Sequence, residues 1–225
     1  MEEKKTTRQI LDEFMSSDAY KNQEKLLEEK KKSIKTGDNV LHLEYLGELN
    51  DSDLSDINNK LQSAGLELSS FDKSGVMYNS LEEFSLVTFF VLNQPLVIEL
   101  LKGIGTNALW DTIKFSVLSV RNQIKGKSYS KNTAGKIEEK QLKFGLQVNL
   151  DKNTGFNIEL DGNVSDEVIE SSLDKVLDFL KEQQPRDKYQ IPDYVYYSEK
   201  EEKWIKLDVM EEISKKTKAK TKKKK

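Results

Sequence analysis

The residues that could carry chemistry in this chain are few, and their settings limit what they could do. His42 is the only histidine among 225 residues, so a serine–histidine–acid triad would have to use it. Glu44 follows two residues later, and on a strand both side chains would lie on one face, which makes a catalytic pair conceivable. A surface histidine beside a surface glutamate explains the same spacing. We therefore assign no catalytic residue.

Two glycine-containing segments match nucleotide-binding loops only in part. Gly126-Lys127-Ser128 matches the end of a phosphate-binding loop, but that loop needs a glycine five residues earlier, where the chain has Arg121. Gly103-Ile104-Gly105 would open a helix whose first amides could bind an anion. It lacks the third glycine and the preceding strand of a dinucleotide site. The sequence predicts a turn between helices here and no cofactor-binding residue.

The ligands for a metal centre are also scarce. The absence of cysteine and the single histidine exclude thiolate and histidine-rich centres. Asp51, Asp53 and Asp56 could in principle hold magnesium or calcium by carboxylates alone, but their spacing does not follow the calcium-loop pattern. Capping of the helix that follows explains them better. We predict no metal site.

The most pronounced charge feature is the lysine-rich end of the chain. Residues 213–225 contain eight lysines and no acid, whereas residues 1–212 carry 28 basic and 39 acidic side chains, a net charge of −11. Lysines at this density repel one another, which predicts a disordered tail over 215–225. The tail could contact the phosphates of nucleic acid or anionic lipid without reading bases. The residues that would make this contact are Lys215, Lys216, Lys218, Lys220, Lys222, Lys223, Lys224 and Lys225.

An apolar block, 84–120, organises the elements that must position these groups. Phe84–Leu92 is rich in β-branched and aromatic residues and has no polar face, which favours a buried strand, with a helix as the alternative. Two helices follow within Pro95–Ile124. Because a membrane span needs about 20 uninterrupted apolar residues, we predict no transmembrane helix. Burial in the core is the expected role, and peripheral membrane contact is the alternative.

Alternating apolar residues mark the remaining parts of the core. Val40–Leu46 reads as a half-buried strand, and residues 142–160 read as a β-hairpin followed by an amphipathic helix. We predict an α+β core over 37–183, in which helices cover one face of a small mixed or antiparallel sheet. The polar segment 126–139 is predicted to be an exposed loop.

The two ends of the chain read differently from this core. Residues 1–36 predict a charged helical arm, and residues 184–214 predict an aromatic β-hairpin appended to the core. The N-terminus lacks the basic and then apolar pattern of a signal peptide. We therefore expect a cytoplasmic protein, with peripheral membrane association as the alternative.

These observations favour a non-catalytic intracellular module for protein interaction or assembly, with a protein partner or a second copy of the chain. One alternative is a protein that associates with membrane or nucleic acid through the basic tail and the Pro95–Ile124 helices. A second alternative is an enzyme with an unrecognised carboxylate-based site.

Overall fold

A computed structural model describes residue 6 and residues 16–75, 86–103, 106–133, 136–160 and 164–208. The predicted α+β class is confirmed, whereas the lysine-rich tail lies outside the described residues. The strands are β1 Val40–Tyr45, β2 Glu67–Asp72, β3 Thr88–Leu92, β4 Ser128–Thr133, β5 Lys136–Gln141, β6 Phe144–Asn149, β7 Gly155–Leu160, β8 Asp193–Ser198 and β9 Lys203–Leu207. The helices are α1 Asp18–Lys31, α2 Asp51–Gln62, α3 Gln94–Lys102, α4 Thr106–Ile124, α5 Asp166–Asp174 and α6 Val176–Lys181.

Seven strands form one mixed sheet in the order β2-β1-β3-β6-β7-β8-β9. The pairs β1/β2, β3/β6 and β7/β8 are parallel, and the other neighbours are antiparallel. The register places one fully buried row across the sheet, which consists of Leu43, Phe90, Leu146, Ile158 and Val195. Side chains alternate along a strand, so this row defines a single apolar face.

Helices α2 to α6 cover the apolar face, which confirms the predicted one-sided helical layer. Helix α2 begins with a capping box between Asn50 and Asp53 and packs beside α4. Lys114 on α4 reaches Asp174 on α5 at 2.6 Å, so α4 lies between the two. Helix α3 ends at Gly103, whose φ of 79° is the left-handed conformation of a helix C-terminus. The predicted cap at the start of α2 and the end of α3 at Gly103 are therefore observed, whereas residues 104–105 of the predicted turn lie outside the described residues.

The connections between parallel strands do not all have the same hand. Strands β1 and β7 run in one direction and β3 in the other, and the connections β1 to β2, β3 to β6 and β7 to β8 all pass over the helical face. In the sheet, β2 lies on the β2-edge side of β1, whereas β6 and β8 lie on the β9-edge side of β3 and β7. Consequently the first two share one hand and the third has the opposite hand. One of these hands is the left-handed form, which is rare in proteins.

The predicted loop over 126–139 is instead a two-stranded hairpin, β4 and β5, which pair antiparallel from Ser128↔Gln141 to Thr133↔Lys136. The residues of this hairpin whose exposure is described are exposed or half-buried, and none is buried. A strand with solvent on both faces needs no alternation of apolar and polar residues. The two-residue periodicity by which a half-buried strand is recognised is therefore absent from this segment, and the strands were not predicted.

The predicted C-terminal hairpin exists, but it belongs to the main sheet and is not an appendage. Strand β8 extends the sheet by pairing with β7, and β9 forms the outer edge. Trp204 is only 6% exposed, and its indole N–H donates to the Ser172 carbonyl at 2.9 Å. The local sequence pattern identified the hairpin. Its pairing with β7 could not be predicted in this way, because β7 lies more than 30 residues away in the chain.

Candidate functional site

His42 lies on the face of the sheet opposite the main helical layer, where it joins β1 to β2. Its Nδ1 is 3.0 Å from the Ser69 hydroxyl, and its Nε2 is 3.9 Å from Glu44. Glu44 also lies 3.4 Å from the ammonium of Lys73, which stacks 4.5 Å from the Phe89 ring centroid. The predicted His42–Glu44 pair is thus present, together with a serine and a lysine that sequence reasoning missed.

This arrangement contains the three groups of a hydrolytic triad, but the hydroxyl is not available to a substrate. Ser69 is 1% exposed, and its oxygen accepts the Lys35 backbone N–H at 2.9 Å in addition to its contact with His42. A nucleophile must reach the carbonyl it attacks. Ser69 therefore forms a buried polar contact that connects β2 to β1 and to the segment before β1.

The protonation of His42 is controlled by this environment. Burial lowers the pKa of His42 from its ordinary value of 6.5, with a further decrease from Lys73 and an opposing increase from Glu44. Burial likewise lowers the pKa of Lys73, against the opposing effect of Glu44. The neutral imidazole is therefore the form that the folded protein favours.

Replacing His42 with glutamine should remove a pH dependence of stability between about pH 7 and pH 5. Because the folded pKa is lowered, the unfolded chain binds this proton more readily. The stability that His42 contributes is complete above pH 6.5 and is lost as the pH falls through that value. Urea unfolding at several pH values should show this loss in the natural chain and not in His42→Gln. Parallel pH profiles for the two proteins would contradict the assignment, since the chain has no other histidine.

A small cavity of about 180 Å³ lies where the ends of β7 and β8 meet α5. Tyr196, Tyr197 and Trp204 contribute to its lining, together with aliphatic side chains. The Tyr197 hydroxyl and the Trp204 indole are already engaged, because Lys175 donates to the Tyr197 hydroxyl at 3.2 Å and the Trp204 indole N–H donates to the Ser172 carbonyl. Glu159 and Glu199 also line the cavity, and the Glu159 carboxylate is already engaged by the Tyr194 hydroxyl and by Lys143.

The partly buried carboxylates on the sheet are paired with cations. Lys143 lies 3.6 Å from Glu159, which also accepts from the Tyr194 hydroxyl, and Arg186 forms an ion pair with Asp193. Burial opposes the effect, but Arg186 and Lys206 together lower the pKa of Asp193. Among the described residues, no group of three or more histidine or acidic side chains is arranged to hold a metal ion. Asp53 acts in the capping box of α2, as its position predicted.

The Pro95–Ile124 helices are not available for membrane contact along their apolar faces. Leu96, Val97, Ile113, Val117 and Val120 are fully buried against the sheet and neighbouring helices. Within the described ranges, none of the helices combines the length and apolarity needed to cross a bilayer. The expectation that this block forms the core is thus confirmed for these five residues.

The loop that precedes β8, residues 184–192, exposes large apolar side chains. Tyr189 is 71% exposed and Ile191 is 73% exposed. The backbone of this loop is nevertheless held to the turn between β6 and β7. Asn153 donates to the Arg186 carbonyl at 2.9 Å, and the Arg186 N–H donates to the Thr154 hydroxyl at 2.8 Å. The loop therefore presents two apolar groups from an ordered position.

Asp151 prepares this attachment by ordering the turn itself. Its carboxylate accepts the backbone N–H groups of Asn153 at 2.6 Å and Thr154 at 2.9 Å. These hydrogen bonds, the one from Asn153 foremost, lower the pKa of Asp151 and keep it ionised. Such an Asx turn aims the two following side chains at the 184–192 loop. Sequence reasoning recognised the turn but not its contact with the loop.

Comparison of the chain with protein-family models, with curated proteins and with solved structures finds no match.

Proposed function

We propose that this protein is a non-catalytic interaction module that binds a protein partner through its 184–192 loop. The observation that carries the proposal is the exposure of Tyr189 and Ile191 on a loop that Asn153 and Thr154 hold in place. Burying one such side chain in an interface contributes about 1.5–3 kcal/mol. A loop that is already ordered loses less conformational entropy on binding.

The chemistry of the loop supports a protein partner. Tyrosine is enriched among the residues that dominate binding energy in protein interfaces. Asp187 and Lys188 immediately precede Tyr189 and would contribute to the polar rim that surrounds such contacts. The paired or buried state of His42, Ser69 and Glu159 supports a role without catalysis. We further propose an intracellular setting, since a chain without cysteine does not depend on disulfides.

The double variant Tyr189→Ala, Ile191→Ser should lose partner binding without losing stability. Both side chains are mostly exposed, so their removal should leave the melting temperature nearly unchanged. Loss of a central tyrosine contact alone should weaken binding by about 30-fold or more. Affinity capture from the host lysate identifies the partner, and calorimetry with the purified partner then measures the change.

The matched control is Ile98→Ser, Phe115→Ser, which removes two apolar side chains that are 41% and 47% exposed on α3 and α4. This variant should retain the partner at unchanged affinity. Size-exclusion chromatography with light scattering tests self-association of all three proteins in the same way. Binding that survives the loop variant, or is lost equally in the control, would refute the role of the loop.

A further inference from the structure

The cavity at the ends of β7 and β8 is lined by three aromatic side chains, those of Tyr196, Tyr197 and Trp204. Tyr197 and Trp204 are cross-strand neighbours in the β8/β9 pair, and their ring centroids lie 5.3 Å apart at an interplanar angle of 65°. These two rings therefore form walls of different orientation. Tyr196 precedes Tyr197 on β8 and is 38% exposed, so it belongs to the part of the lining that solvent reaches.

The charges of the lining are negative. Glu159 and Glu199 line the cavity, and no lysine or arginine does so among the described residues. Lys143 and a tyrosine hydroxyl already engage Glu159, whereas within the described ranges no hydrogen bond or ion pair uses the Glu199 carboxylate. The N-terminus of α5 adjoins the cavity, but two acids in its first turn reduce its partial positive charge. The site therefore favours a cation over an anion.

Among cations, an ammonium group that carries methyl groups suits this lining best. A primary ammonium has three N–H donors, and burying it without acceptors is costly. The lining is mostly aromatic and aliphatic, and Glu159 is already engaged, so few acceptors remain. A quaternary ammonium has no N–H group to satisfy and is attracted to the faces of tyrosine and tryptophan rings. Cages of such rings are a recurrent means by which proteins bind this group.

The size of the cavity and a neighbouring contact agree with such a ligand. The volume is about 180 Å³. A cavity of about 150 Å³ admits benzene, which is similar in bulk to a trimethylammonium group. The ammonium of Lys175 already lies 5.8 Å from the centroid of the Tyr197 ring, and the Glu202 carboxylate lies 3.4 Å from that ammonium. A ring of the lining thus already accepts one cation that a nearby carboxylate balances.

We propose that this cavity binds a methylated ammonium group, with Tyr196, Tyr197 and Trp204 around it and the Glu199 carboxylate beside it. Free quaternary amines such as choline and trimethylated lysine side chains of proteins both present this group. The site is separate from the 184–192 loop, because the loop precedes β8 and the cavity lies at the other end of that strand. A strand of six residues spans about 20 Å, so each site can be tested without the other.

The first test measures binding of choline to the full-length chain by calorimetry, in comparison with its neutral carbon isostere, in which a tert-butyl group replaces trimethylammonium. We expect choline to bind at least about tenfold more tightly, because the isostere has the same shape but no charge. Equal affinities would overturn the proposal. So would the absence of saturable binding by choline, by tetramethylammonium and by a peptide that contains trimethyllysine.

That peptide also distinguishes the two sources of the group, when it is compared with the same peptide unmodified. Tighter binding of the trimethyllysine peptide than of choline would assign the ligand to a methylated protein. Tighter binding of choline would assign it to a small amine. Equal binding of the modified and unmodified peptides, together with no binding of choline, would contradict the proposal.

Substitutions locate the binding within the cavity. Tyr196→Leu, Glu199→Gln removes one ring and the unengaged carboxylate, and it should weaken choline binding at least about tenfold. Tyr196→Phe keeps the ring and should bind choline as the natural chain does. The matched control, Tyr189→Leu, Glu99→Gln, removes the same two groups from the 184–192 loop and from α3, and it should also bind unchanged.

The substituted positions are all exposed, so the melting temperatures of these variants should stay within a few degrees of one another. Unchanged choline binding by Tyr196→Leu, Glu199→Gln would refute the site. Equal weakening in that variant and in the matched control would refute it as well.

Discussion

A chain shortened to end at Gln184 should lose its cooperative unfolding transition. The deletion removes β8 and β9, whose residues Val195 and Trp204 are buried in the same core as β7. Removing a single buried tryptophan side chain costs about 3–5 kcal/mol. A typical domain has only about 5–15 kcal/mol of stability, so the loss of two strands should exceed it. Thermal circular dichroism and dye binding to exposed apolar surface measure the result.

The control for this truncation deletes only 215–225. That deletion removes none of the described strands or helices, so the melting temperature should remain nearly unchanged. If the chain ending at Gln184 melts as cooperatively as the control, the hairpin is an independent appendage and its assignment to the core is refuted.

Replacing Gly145 with alanine should destabilise the protein by more than about 3 kcal/mol, which is large for the addition of one methyl group. A methyl group at this position would overlap the Ile158 carbonyl oxygen and lie 2.9 Å from Leu86 Cδ1. The carbonyl belongs to the neighbouring strand β7, so it cannot move without breaking the sheet. The close approach of two backbones is the reason for glycine here. Urea-unfolding midpoints measure the change.

Gly155 supplies the matched control within the same β6–β7 hairpin. A methyl group at Gly155 would meet its nearest neighbour, Pro192 Cγ, at 3.3 Å, a contact that small shifts can relieve. Gly155→Ala should therefore cost much less than Gly145→Ala. Equal losses in the two variants would show that the clash at Gly145 is relieved elsewhere and does not determine stability.

The local sequence pattern was sufficient to predict those strands and helices that bury one face and expose the other to solvent. The alternation in Val40–Leu46 and in 142–160 predicted β1, β6 and β7, and the polar residues at 50–53 predicted the start of α2. The continuous apolar run Phe84–Leu92 left strand and helix open; residues 84–85 lie outside the described residues, and Thr88–Leu92 forms strand β3. Periodicity alone could not separate them, because the half-buried positions of β3, Phe89 and Val91, are as apolar as its buried ones and give no polar alternation.

Strand β2 shows why polar sequence can conceal a buried element. Glu67–Asp72 includes two serines, yet Ser69 is buried because its hydroxyl pairs with His42 and with the Lys35 N–H. Satisfied polar groups can be buried at little cost, but their partners lie 27 and 34 residues away. The candidate His42–Glu44 pair could be predicted from its spacing, whereas the burial of Ser69 beside it could not.

The sequence by itself determined the α+β class, the principal apolar core and the segregation of charge into an acidic body and a lysine-rich tail. These features follow from composition and short-range periodicity, which indicate which side chains of a segment are buried and which are exposed to solvent. Only the tertiary structure decided the strand order, the inclusion of β8 and β9 in the main sheet and the attachment of the 184–192 loop by Asn153. Those features depend on backbone pairing and on single hydrogen bonds between segments that are distant in the chain. Such contacts produce no periodic pattern in the sequence.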